Sequence, residues 1–200
     1  MRKLALNDEI LLKIEKPARY IGNEVNSVMK NKNEVDIRFA MCFPDVYEIG
    51  MSHLGIQILY DMFNQREDVW CERVYSPWLD LHKIMKEEQI PLFALESQDP
   101  IRDFDFLGIT IQYEMCYTNI LQILDLSRIP HHSRDRGEAD PIVIGGFIGI
   151  QQFVVDSLPF SDIENIKKFC QWFRIIRTWT SSDNDWICLT TVTTVVRNPA

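Results

Sequence analysis

Val35-Asp36-Ile37-Arg38-Phe39-Ala40-Met41-Cys42-Phe43 alternates polar and apolar residues and then turns wholly apolar, as a strand entering a buried sheet does. Pro44 stops that strand, and after Gly50 the apolar residues Leu54, Ile58, Leu59 and Met62 recur at helical spacing through about Asn64. Strand, loop and helix in this order open a βαβ unit. Working outward, further strands are predicted at residues 69–74, 92–95, 106–110 and 141–146, and helices at 79–88 and 115–126. The alternation predicts an α/β domain over residues 35–146, a doubly wound, mainly parallel five-stranded Rossmann-like sheet. Ligands of such sheets bind at the carboxyl ends of the strands, near the point where strand order reverses. The candidate rim is therefore residues 44–55, 75–78, 96–98, 111–118 and 145–149.

Residues 1–34 read as an N-terminal arm: Asn7 caps a short helix with Ile10, Leu11 and Ile14 on one face, Pro17 ends it, and a polar loop follows. The composition, 46% hydrophobic and 25% charged over 200 residues, is that of a globular chain. A net charge of −8 without a basic run argues against nucleic acid or an anionic membrane as a partner. Charges throughout the first thirty residues leave no signal-peptide block, and the chain is expected to be cytoplasmic. Five scattered cysteines, Cys42, Cys71, Cys116, Cys170 and Cys188, fit reduced thiols, at least three of them small buried side chains.

Several segments occur together in a recognisable order: Arg19-Tyr20-Ile21-Gly22-Asn23-Glu24, Phe43-Pro44-Asp45-Val46-Tyr47-Glu48-Ile49-Gly50-Met51-Ser52-His53-Leu54-Gly55 and Trp70-Cys71-Glu72-Arg73-Val74. Pro91-Leu92-Phe93-Ala94-Leu95-Glu96-Ser97, the stretch from Asp105 to Glu114, and Pro141-Ile142-Val143-Ile144-Gly145-Gly146 complete the set. Over residues 19–146 the chain resembles the cobalamin-binding-like N-terminal domain of a radical S-adenosylmethionine (SAM) protein family. The resemblance implies an accessory domain beside a barrel that binds SAM and an iron–sulfur cluster through a Cys-Xaa3-Cys-Xaa2-Cys triplet. That triplet is absent here, so SAM and the cluster are implied for the full-length family and not for these residues, and the chain alone is expected to be inactive. The barrel, normally in the same chain, is the implied partner.

Cobalamin is the cofactor the resemblance suggests. Cobalamin domains of this kind carry Asp-Xaa-His-Xaa-Xaa-Gly after the first strand, with His on cobalt, and a Gly-Gly pair after the last. Here the motif is Asp45-Val46-Tyr47-Glu48-Ile49-Gly50, with Tyr47 in the histidine position, and Gly145-Gly146 match the pair. A phenol ionises only near pH 10, so Tyr47 is a poor neutral donor. The candidate cofactor-binding residues are Asp45, Tyr47, Gly50, Ser52, His53, Gly145 and Gly146; no catalytic residue and no metal ligand is assigned.

His53 either approaches a ligand from the first helical turn or, more commonly for such a residue, caps or hydrogen-bonds its loop. His82, on an amphipathic helix, and His131-His132, in a polar loop, are read as surface residues. Tyr113, Glu114 and Tyr117 either line the same rim or cover the sheet's open end. Asp45 and Glu48 resemble a carboxylate pair but have no nucleophile to serve. After Gly146 the family pattern is lost, and residues 147–200 read as a divergent tail, from a shifted reading frame or truncation, or as a genuine extension. A cofactor-free docking module is the alternative function, favoured by Tyr47. A nucleotide- or SAM-binding enzyme ranks lowest for want of a Gly-Xaa-Gly-Xaa-Xaa-Gly turn.

Overall fold

The computed structural model describes residues 4–146 and the short segment 153–155. Four parallel strands, β1 (Ile37–Phe43), β2 (Val69–Tyr75), β3 (Phe106–Thr110) and β4 (Ile142–Gly146), lie in the order β2-β1-β3-β4. They alternate with helices α3 (Tyr47–Gly50), α4 (Leu54–Asn64), α5 (Leu79–Glu87) and α6 (Tyr117–Leu126), preceded by α1 (Asp8–Lys13) and α2 (Ala18–Ile21). A three-residue segment, β5 (Phe153–Val155), pairs antiparallel with β4.

Every residue of β1, β2 and β3 is buried, which follows from helices covering both faces of the sheet. Ile37, Phe39, Met41 and Phe43 of β1 pack with Ile56, Tyr60 and Phe63 of α4 on one face. Ala40 and Cys42 pack with Leu81 and Met85 of α5 and Ile123 and Leu124 of α6 on the other. The doubly wound reading rests on this two-sided core. Because α4 lies on one face and α5 and α6 on the other, the winding reverses between β1 and β3.

The segment Leu92–Leu95, expected to be a sheet strand, is not one. It runs along the outer edge of β2 as an irregular cover whose only ladder is an isolated bridge between Phe93 and Pro100. Pro91 and Pro100 flank it, and Gln98 takes a positive φ of 67°, so the chain turns back at once. A carboxylate does the work of a neighbouring strand: Leu95 N donates to Arg73 O at 2.9 Å, and Arg73 N donates to Glu96 Oε2 at 2.7 Å.

Two ion networks stand beneath this cover. Arg73 Nε donates to Glu96 Oε1 at 2.7 Å and Nη1 to Glu24 Oε2 at 2.5 Å; Arg38 Nη2 donates to Glu72 Oε1 at 2.6 Å and Nη1 to Asp99 Oδ2 at 2.9 Å. Glu72 and Glu96 are fully buried, and desolvation pushes both carboxyls up against the pull of the adjacent guanidiniums. The Arg38 guanidinium also lies 4.1 Å from the Phe104 ring centroid.

The arm is more ordered than the sequence suggests. Asn7 Oδ1 accepts from Ile10 N at 2.9 Å as expected of a cap, and Leu6, Ile10, Ile14 and Tyr20 enter the α5–α6 core. Pro17 also opens α2, a role its fixed φ suits. Cys42, Cys71 and Cys116 are buried free thiols; Cys170 and Cys188 lie outside the described residues, as does the tail apart from residues 153–155. Among the described residues no helix is long and apolar enough to cross a membrane.

Candidate functional site

The carboxyl ends of β1 and β3 are neighbours at the winding reversal, and the loops leaving them are joined by side chains. Tyr113 Oη donates to Asp45 Oδ2 at 2.8 Å, while Asp45 Oδ1 accepts from Val46 N at 2.7 Å. The hydrogen bond to Asp45 raises the Tyr113 phenol above its usual range. Asn119 Nδ2 of α6 donates to Pro44 O at 2.9 Å, and Ser76 N donates to Asp45 O at 2.9 Å, which ties the β2–α5 loop to the same point. Asp45 thereby occupies the centre of the rim.

Two buried polar atoms at this rim have no partner: His53 Nδ1 and Gln112 Nε2. His53 stands at the N-cap position of α4 without making a capping hydrogen bond, and its ring lies 5.3 Å from that of Phe43. The bond that His53 makes to its loop comes from the backbone, His53 N donating to Gly50 O at 3.1 Å. An unpaired buried polar group costs free energy and calls for an explanation in a bound group or solvent. The rim is also unusually apolar outward: Met51, Leu54, Leu79, Tyr113, Met115 and Tyr117 are all exposed, Met115 at 82%.

The other candidates are distributed as follows. Tyr47 turns away from the reversal point: its hydroxyl donates to Glu24 Oε1 and its ring meets Tyr75 edge-on at 5.4 Å. Burial, then the bond to Glu24, pushes the Tyr47 phenol up to about 12, so it stays protonated at neutral pH. Gly50 is buried beneath the Tyr75 ring, which fills the space a side chain there would need. Ser52 Oγ donates to Ile49 O at 2.8 Å on the exposed side of the loop. Gly145 and Gly146 pair with Ile109 and Thr110 at the end of β4, two strand spacings, roughly 10 Å, from β1. The structure therefore gathers Asp45, Gly50 and His53 in one loop, sets Gly145 and Gly146 on the far side of β3, and removes Tyr47. Glu48 pairs with Arg19 and Lys16, not with Asp45. Glu114 and Tyr117 are exposed at the rim; His131 and His132 are exposed and His82 half-buried. Gln112 falls in the expected rim segment 111–118 without being singled out there, and Asn119 escaped the sequence reading, since a lone amide carries no spacing signal.

As a corrinoid site, the rim offers Asp45, Tyr113, the unpaired His53 and Gln112 atoms, and side-chain-free backbone at Gly145 and Gly146. It offers no cobalt donor from Tyr47. Among the described residues no cluster of three or more His, Cys, Asp or Glu side chains could hold a metal ion.

Residues 55–166, more than half of the chain, match the family model of radical SAM proteins, N-terminal. The chain belongs to this family. No curated protein and no solved structure matched it. The match runs from the first turn of α4 through β2, α5, β3, α6 and β4 and continues past Gly146; the arm, β1 and the loop carrying Asp45, Gly50 and His53 precede it. The radical SAM N-terminal domain implies a radical SAM domain in the full-length protein.

Proposed function

We propose that this radical SAM N-terminal domain is a corrinoid-binding accessory domain whose rim between β1 and β3 faces the radical SAM domain. The observation that carries the reading is the pair of unpartnered buried atoms, His53 Nδ1 and Gln112 Nε2, on the two loops that the Asp45–Tyr113 hydrogen bond joins at the strand-order reversal, where doubly wound sheets bind ligands. A corrinoid, when bound, supplies a cobalt centre. The chain's own residues do the holding: Asp45 and Tyr113 anchor polar substituents, exposed Met115 and Tyr117 cover apolar surface, and Gly145 and Gly146 admit close approach of the nucleotide tail. Because Tyr47 is committed to Glu24 and stays a neutral phenol, the cobalt takes no ligand from that position.

Hydroxocobalamin incubated with the full chain and desalted is expected to leave near-stoichiometric corrinoid absorbance, lost in Asp45→Ala and Gly145→Val and kept in Tyr47→Phe. Loss in Tyr47→Phe would refute the claim that the Tyr47 hydroxyl takes no part in binding. A folded, colourless protein would refute corrinoid binding and favour a docking module, for which exposed Met51, Leu54 and Met115 are the suited contacts.

A further inference from the structure

The segment Arg19-Tyr20-Ile21-Gly22-Asn23-Glu24 precedes the sheet and has no part in the rim, yet its polar side chains reach across to the loops there. Arg19 grips Glu48 through Nη2 at 2.8 Å and Nε at 2.9 Å, Lys16 adds a contact at 3.3 Å, and the Arg19 guanidinium sits 5.7 Å from the Trp78 ring centroid. Tyr20 Oη accepts from Trp78 N at 3.0 Å, and Tyr20 O accepts from Gln98 Nε2 at 3.1 Å. Gly22 and Asn23 both take φ of 63°, and this sharp turn brings Glu24 inward to accept from Tyr47 Oη and Arg73 Nη1. The hydrogen bond from Arg19, outweighing a small burial cost, holds the Glu48 carboxyl down at about 2. The two polar side chains that follow Asp45, those of Tyr47 and Glu48, are thus both held by the arm.

We infer that residues 16–24 form a strap that latches the loop Asp45–His53 in place, with Glu24 and Arg19 as its two clasps, and that opening the strap releases Tyr47 and Glu48 to move. The strap is a conformational device for the rim: closed, it holds Tyr47 and Glu48 and keeps the Tyr47 phenol out of the reversal point. The strap acts on the loop through the arm alone, whichever ligand the rim takes.

Amide hydrogen exchange of the full chain tests it, comparing residues 46–53 with strand β3 as an internal reference. Tyr47→Phe keeps the ring against Tyr75 and removes only the hydroxyl, so it leaves the core packing intact. Tyr47→Phe and Arg19→Glu are each expected to speed exchange in residues 46–53 by about tenfold while β3 is unchanged. The charge swap Arg19→Glu with Glu48→Arg is expected to restore the slow exchange. Unchanged loop exchange in Tyr47→Phe, equal acceleration of the loop and β3, or failure of the swap to restore protection would each overturn the strap.

Discussion

Glu96→Ala is expected to destabilise the domain by about 3–5 kcal/mol, because it strips the main partner from a buried guanidinium. Glu96 is 1% exposed and receives both Arg73 Nε and Arg73 N, each at 2.7 Å. Removing it leaves Arg73 with Glu24 and the face of the Tyr60 ring, and orphans an edge-strand amide that no neighbouring strand covers, a loss of about 1–3 kcal/mol by itself. Arg73 Nη2 already lacks a partner, so little slack remains for rearrangement. Glu96→Gln should cost less, since an amide oxygen still accepts from Arg73 N. Joint replacement by apolar residues, Arg73→Met with Glu96→Leu, should recover much of the loss, as buried ion pairs contribute little net stability over a packed apolar pair. Urea unfolding of the variants checks this. A loss below about 1 kcal/mol for Glu96→Ala would show that the carboxylate does not hold the edge.

Phe39→Ala is the second large effect, about 3–5 kcal/mol, and it should reverse the sign of a second substitution. Phe39 is central in β1, with its ring centroid 4.9 Å from that of Phe63 and 6.0 Å from that of Phe106. The ring also lies over Gly108: a Cβ there would stand 2.6 Å from Phe39 Cζ. Gly108→Ala alone should therefore destabilise by about 1–3 kcal/mol through overpacking. In the Phe39→Ala background the same methyl enters vacated space, and the strand loses a flexible glycine, so it should stabilise. Double-mutant thermal or urea unfolding reads the coupling; additive effects would contradict the packing.

How much of this was legible in the sequence follows from which interactions have a period. β1 and the α4 stripe were readable because a buried strand and an amphipathic helix write their environment residue by residue. Leu92–Leu95 was misread for the same reason: four apolar residues look like a strand, and only the flanking Pro91 and Pro100, with the demand of Arg73 for a carboxylate, make them an edge cover. Arg38 of β1 read as the polar face of an alternating strand, yet it is buried by Glu72 and Asp99, a pairing between residues far apart in the chain. At the rim, the loop holding Asp45, Gly50 and His53 could be placed from its strand and helix. The turning of Tyr47 to Glu24 could not, because it depends on the polar loop at the end of the arm, which carries no regular pattern.

The most direct test of the account is where a corrinoid leaves its footprint. Amide exchange of the full chain with and without hydroxocobalamin should show new protection in residues 45–53 and 111–118, the two segments joined by Asp45 and Tyr113, with α5 and the remainder of α6 unchanged. Protection confined to other surfaces, or none at saturating corrinoid, would contradict a ligand site at the junction of β1 and β3.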